Sequence, residues 1–199
     1  MKEPVNTSRD IARELARRYS TMTHQELDEL ENILVPMKFV KGEMILREGE
    51  ICRNIYYLDK GLIRQFYFKN GKEVTEYLGA DHTIFMCIES LFKEEPTYLQ
   101  VEALEASIVF AIPVADLEKV ALHCVNIQMM YRKILEESLI ISQVHADLVR
   151  FETAQNRYKR MCKLYPQVAF RAPLIHIANY LQMTPETLSR VRSSTLLDD

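Results

Sequence analysis

The chain has 199 residues, 48% hydrophobic and 27% charged, with a net charge of −3 at neutral pH. That length suits one or two soluble globular domains with a proper buried core. No stretch approaches the roughly 18 uncharged apolar residues of a membrane span, and Met1-Lys2-Glu3-Pro4 lacks a secretory signal, so a cytoplasmic protein is expected.

In chain order, residues near Arg9 to Tyr19 predict a charged helix. Thr23-His24-Gln25-Glu26 is a capping box that predicts a second helix through about Val35. All five glycines, Gly42, Gly49, Gly61, Gly71 and Gly79, follow in one short region, which concentrates the turns there. Asn54 to Leu58, Leu62 to Phe68 and Glu73 to Leu78 are β-branched and aromatic, and Asn70-Gly71 between the last two is a hairpin signal. Tyr98 to Leu104 and Ser107 to Ile112 predict further strands, together a small antiparallel barrel or roll.

After Pro113 the periodicity becomes helical. A short helix from Ala115 to about His123 precedes a long one with a seven-residue repeat. Ile127, Ile134, Ile141 and Leu148 occupy one position, and Met130, Glu137, Val144 and Phe151 lie three residues after each. This is the apolar seam of a coiled coil, with Glu137 its exception. The seam predicts a dimer interface of Ile127, Met130, Ile134, Ile141, Val144, Leu148 and Phe151. Leu135, Leu139, Ile140 and Val149 lie on other faces, so the helix is expected to have two partners, its own domain and a second subunit.

Between positions 150 and 192 eight basic residues face only Glu152 and Glu186, a local excess of positive charge on an otherwise acidic chain. Such a basic end suits phosphates. Within it, residues 173–193 predict two short amphipathic helices meeting at a turn. Ile177, Ala178 and Leu181 face inward from the first, Met183 plugs the turn, and Leu188 and Val191 complete the inner face. Thr184 is the expected N-cap of the second helix, with Pro185 and Glu186 in its first turn. Gln182 occupies a turn position where glycine is usual, so it must take a left-handed conformation or distort the turn. The outer face presents Thr184, Glu186, Thr187, Ser189, Arg190 and Arg192. In a major groove Arg190 can donate twice to guanine and Glu186 can accept from cytosine; Thr184, Ser189 and Arg192 suit phosphates.

The chain resembles the Crp/Fnr family of transcription regulators. The resemblance rests on Lys41-Gly42-Glu43, Arg47-Glu48-Gly49-Glu50, Tyr56-Tyr57-Leu58-Asp59-Lys60-Gly61, Ile177-Ala178-Asn179-Tyr180-Leu181 and Thr184-Pro185-Glu186-Thr187-Leu188-Ser189-Arg190. It implies an α+β protein: an antiparallel β-roll of the double-stranded β-helix or jelly-roll type with flanking helices, a long dimerisation helix and a C-terminal all-α helix-turn-helix. The implied parts are a cyclic-nucleotide-binding-like sensor domain (1–126), a dimerisation helix (127–152) and a DNA-binding domain (153–199). A homodimer on palindromic double-stranded DNA is implied, with RNA polymerase as a further partner. The chain's stop at Asp199 leaves no strands for the wing that many relatives have, so fewer phosphate contacts are expected.

One departure bears on the effector. Cyclic-nucleotide-binding members hold the ribose with Gly-Glu and the phosphate with Arg-Ser; here Cys87-Ile88-Glu89-Ser90 precede Leu91-Phe92, and Thr97-Tyr98 fall where the arginine belongs. Cys87, Glu89, Ser90, Thr97 and Tyr98 are the expected effector pocket. Without an arginine a cyclic phosphate has no bidentate partner, so no tight cyclic-nucleotide binding is expected and the effector is left unassigned.

Enzymatic chemistry has little support. His24, His82, His123, His145 and His176 form no H-x-H or H-E-x-x-H pattern, and Cys52, Cys87, Cys124 and Cys162 form no C-x-x-C pair. No metal or cofactor is expected, and a cupin-like metal enzyme is the weaker alternative. A haem- or gas-sensing regulator using His82, Cys87 or His145 is the other.

Overall fold

The computed structural model describes residues 6–195; the Met1–Pro4 reading and the acidic end beyond Thr195 lie outside them. Two capping boxes organise the first helices. In α1 (Ser8–Tyr19) the Thr7 amide donates to Asp10 at 3.0 Å, and in α2 (His24–Ile33) the Thr23 amide donates to Glu26 at 2.8 Å. The second helix stops short of the expected Val35, because Val35 begins a strand.

Eight strands follow, β1 (Val35–Phe39), β2 (Met44–Leu46), β3 (Asn54–Lys60), β4 (Leu62–Lys69), β5 (Lys72–Ala80), β6 (Thr83–Phe85), β7 (Gln100–Ala103) and β8 (Ser107–Pro113), with α3 (Ile88–Lys93) between β6 and β7. They form two antiparallel sheets, β1-β8-β3-β6 and β2-β7-β4-β5. The expected strands are present, four of them with longer bounds and the Tyr98 to Leu104 strand shortened to β7. β1, β2, β6 and α3 are additions, too short or too mixed in burial to show a period. The β4–β5 turn has Asn70 and Gly71 at φ 52° and 73°, the paired left-handed values of a type I′ hairpin. Gly61 answers a different need: a Cβ there would lie 2.1 Å from the Ser107 hydroxyl oxygen. Ile55, Tyr57, Leu58, Ile63, Val109 and Ile112 are fully buried in the core that this roll shares with α1 and α2.

Helix α4 (Val114–Ala121) leads into α5 (Val125–Phe151), which at 27 residues is about 40 Å long. Four seam positions of α5 face the chain's own core, which corrects the expected interface at Ile127, Met130, Ile134 and Leu148. Ile127, Met130 and Ile134 have at most 1% exposure within the roll core, and Leu148 is buried among the C-terminal helices. Ile141 and Val144 are half-buried, and only Phe151 stands free of the interior. Glu137 explains its own place in the seam, because it accepts hydrogen bonds from the Tyr19 hydroxyl and the Arg18 guanidinium, each at 2.5 Å. Besides Phe151 and Val125 at its two ends, the apolar positions that α5 leaves outward are Leu139 and Ile140, at 61% and 59% exposure, with Met129 ten residues before Leu139 at 37%.

Helices α6 (Ala154–Leu164), α7 (Pro166–Arg171), α8 (Leu174–Tyr180) and α9 (Pro185–Thr195) complete the described chain. They share a second apolar cluster with Leu62, Leu78, Ala80 and Leu104 of the roll.

Candidate nucleic-acid interface and effector cavity

The α8–α9 pair is built from its turn outward. Ile177, Ala178, Leu181 and Leu188 have 1% exposure or less and hold the two helices together, while Met183 and Val191 pack at the margin. Gln182 takes φ 50°, so the residue that lacks glycine's freedom adopts the left-handed conformation rather than distorting the turn. The Met183 amide then donates to the Ala178 carbonyl at 2.9 Å. Arg157 of α6 donates to the Leu181 carbonyl at 2.5 Å and to Gln182 at 3.4 Å, buttressing the turn from behind.

Thr184 caps α9, its hydroxyl accepting from the Thr187 amide at 3.2 Å. Beyond the cap, Glu186, Ser189 and Arg190 are exposed on one side of α9, and Thr187 and Arg192 are half-buried beside them. Arg190 rests on the Thr187 hydroxyl at 3.4 Å, and the guanidinium of Arg192 lies beside Tyr158 of α6. The Glu186 carboxyl is held below its ordinary range by its own amide and by the Thr184 hydroxyl, so it stays an acceptor. Lys163 and Arg160 are exposed on α6. Arg171, in contrast, is no surface cation: it binds Asp81 at 2.8 Å, Glu105 and the Gly61 carbonyl, clamping α7 to the roll. Charge counting cannot separate such a clamp from a free cation.

The pair is docked on the roll through polar contacts that sequence reasoning missed. Asn179 accepts from the Thr75 amide at 3.1 Å and donates to the Glu73 carbonyl at 2.8 Å, matching the backbone of β5. Arg64, buried on β4, binds Glu102 at 2.7 Å and Glu73 at 2.6 Å, and its Nη1 lies 3.0 Å from His176 Nδ1 on α8. A guanidinium has only donors, so that imidazole nitrogen accepts and the ring proton sits on Nε2. Desolvation, then the Arg64 charge, lowers the His176 pKa against the pull of Glu73 and Glu102.

A cavity of about 350 Å³ lies between the roll, α5 and α8. Of the expected effector residues it takes only Glu89 and Tyr98. Cys87, Ser90 and Thr97 are buried elsewhere in the wall, which corrects their assignment. Ser90 donates to the Glu95 carbonyl at 2.6 Å and accepts from the Cys52 amide at 2.9 Å, Thr97 accepts from the Leu99 amide at 2.9 Å, and the Cys87 thiol is raised in pKa by its hydrogen bond with Cys52 and then by burial. The lining adds Gln65, Glu76, Tyr77, His145 and Tyr180. No motif marks these five, which come from four elements. Of the candidate haem ligands, only His145 reaches the cavity; His82 binds the Tyr57 hydroxyl at 2.9 Å and lies 3.2 Å from Glu14.

Comparison with known proteins agrees with this architecture. Residues 36–123 match the cyclic nucleotide-binding domain family. The anaerobic regulatory protein of Haemophilus influenzae is 27% identical over 186 residues, covering 86% of this chain and 71% of the relative. The structure of FixK2 from Bradyrhizobium japonicum superposes with a TM-score of 0.70 at 21% identity, covering 83% of this chain and 86% of the other. The catabolite activator protein of Thermus thermophilus gives 0.55 at 22% identity, covering 92% and 87%. The chain thus joins a roll of the cyclic nucleotide-binding type to a C-terminal helical region. In sequence and fold it is similar to regulators of the Crp/Fnr type. No described helix is long and apolar enough to cross a membrane.

Proposed function

We propose that the chain is a sequence-specific DNA-binding transcription regulator that acts as a homodimer on palindromic operators. The carrying observation is α9, whose inner face is sealed by Leu188 while Glu186, Ser189 and Arg190 stand exposed in a row next to a capped N-terminus. A helix so presented can enter a major groove, with Arg190 donating to guanine and Glu186 accepting from cytosine. Thr184, Thr187, Ser189 and Arg192 flank this pair, and Arg160 and Lys163 extend the basic surface for phosphates.

Dimerisation is assigned to the outward stripe of α5 at Met129, Leu139 and Ile140 rather than to the seam. A second copy packed there sets two recognition helices about 34 Å apart. The cavity is the effector site: the sensor, 1–126, the helix, 127–152, and the DNA-binding part, 153–199, meet around it, so an occupant shifts their relative energies. Absence of a lining lysine or arginine among the described residues argues against a cyclic nucleotide.

Selection of bound sequences from random duplex DNA tests the proposal. Enrichment of a two-fold symmetric motif with half-sites one turn apart is the expected result. No enrichment at low salt, or a strictly monomeric protein at working concentration, would refute it.

A further inference from the structure

The effector cavity is electrostatically the reverse of a nucleotide site. Its charged lining residues are Glu76 on β5 and Glu89 on α3, and no lysine or arginine lines it among the described residues. Lys93 reaches Glu89 at 2.7 Å from outside, whereas the charge acting on Glu76 is that of Glu89. Desolvation, then the charge of Glu89, raises the Glu76 pKa, the response of a carboxylate that lacks a cation.

The rest of the lining sorts into two kinds. Ile84, Phe85, Met86, Leu99 and Ile141 form an apolar wall. Tyr98 and Tyr180 bring aromatic rings, and Ser138 and Ser142 bring hydroxyls from α5. The His145 ring stacks on Tyr180 with centroids 4.3 Å apart, and its Nδ1 is buried without a hydrogen-bond partner. Burial lowers the His145 pKa, so the ring is neutral at pH 7 and adds no positive charge.

Charge decides among ligand classes. An anion would meet two carboxylates, and the one nearby cation, Lys93, is already engaged by Glu89. A metal ion would need a donor set that the described residues do not assemble, since no three His, Cys, Asp or Glu side chains come together. An organic ammonium satisfies both halves of the lining. Its charge relieves the Glu76–Glu89 repulsion and can rest over an aromatic face, while its body displaces water from the apolar wall.

We propose that this cavity binds a small protonated amine carrying an apolar or aromatic body, with Glu76 holding the ammonium group and Glu89, shared with Lys93, beside it. The assignment rests on reading the chain as an effector-controlled regulator, and it supplies the chemical class of the effector. Because Tyr180 is the last residue of α8, an occupant touching the His145–Tyr180 stack bears directly on the element that leads into α9.

Calorimetry on the full chain without DNA tests this, using phenethylammonium, cyclohexylammonium and butylammonium against phenylacetate and cAMP. At least one amine is expected to saturate at about millimolar concentration or below, with phenylacetate at least about tenfold weaker and cAMP silent. Glu76→Gln should weaken the amine about tenfold or more while leaving the thermal unfolding midpoint in place, and Glu89→Gln should act in the same direction. Silence from all three amines, parity between phenethylammonium and phenylacetate, or saturable cAMP binding would overturn the proposal. DNA selection on the unliganded chain reads the regulator proposal independently. Selection without amine binding sinks only the cavity assignment, and amine binding without selection sinks only the DNA reading.

Discussion

Gln182 pays the steric cost of a left-handed conformation that glycine would adopt freely. That cost is roughly 1–2 kcal/mol for an ordinary side chain. Glycine at the same place loses about 0.4–1 kcal/mol through the greater freedom of the unfolded chain. Gln182→Gly should therefore stabilise the protein by up to about 1 kcal/mol, read as a higher urea midpoint at constant slope. A lower midpoint would mean that the Gln182 side chain has a role the turn geometry does not reveal. His176 makes a second residue-scale case. Its pKa is lowered in the folded chain, so an unfolded or undocked His176 takes up a proton first as pH falls below the ordinary 6.5. The docked form keeps its full stability above that pH and loses it as pH falls toward the lowered value. Protonation would also remove the acceptor for Arg64 and place a cation beside it, with Glu73 and Glu102 opposing only in part. Between pH 7.5 and 5.5 the unfolding midpoint should drop more in the natural protein than in His176→Gln. Equal drops would dissociate His176 from the docking contact.

At the scale of elements, α5 shows what a repeat in a sequence can and cannot say. The recurrence of Ile127, Ile134, Ile141 and Leu148 correctly implies a face that must be covered, but periodicity carries no information about which surface covers it. Tyr19 and Arg18 reach that face at Glu137, and both come from a helix more than a hundred residues earlier. The hairpin at Asn70-Gly71 was legible because its conformation is set by two adjacent residues. The cavity was not, because Gln65, Glu76, His145 and Tyr180 meet only when the elements have packed. Two substitutions separate the inner and outer faces of α5. Ile134→Ala should cost about 2–5 kcal/mol of stability through the cavity it leaves in the roll core. Ile140→Glu should leave the fold intact and convert dimer to monomer in sedimentation analysis. A dimer that survives Ile140→Glu would move the interface elsewhere on the chain.

For the molecule as a whole, attraction to DNA is a matter of which side-chain cations can meet phosphates and release their counterions. Arg157 and Arg171, two of the eight basic residues between positions 150 and 192, are engaged at the turn and at the roll. Phosphate binding then falls to Lys163 and to Arg160, which lies only loosely against Glu152 at 3.6 Å, and specificity to Arg190. Arg190→Ala should cost about 1–3 kcal/mol on the selected operator and flatten its base preference, whereas Lys163→Ala should weaken all duplexes alike and reduce the salt slope by about one. Titrations across a range of salt distinguish the two, and an unchanged preference after Arg190→Ala would remove Arg190 from base reading.

The Asn179 contact also guards the protein against itself. β5 is the last strand of its sheet, and the Asn179 amide occupies the backbone groups of Glu73 and Thr75 that would otherwise face outward. A chain whose α8 swings away bares a template onto which a stranger's strand can zip. The released conformation therefore carries a standing tendency to clump, and light scattering from Asn179→Ala solutions should rise with time while the natural protein stays clear.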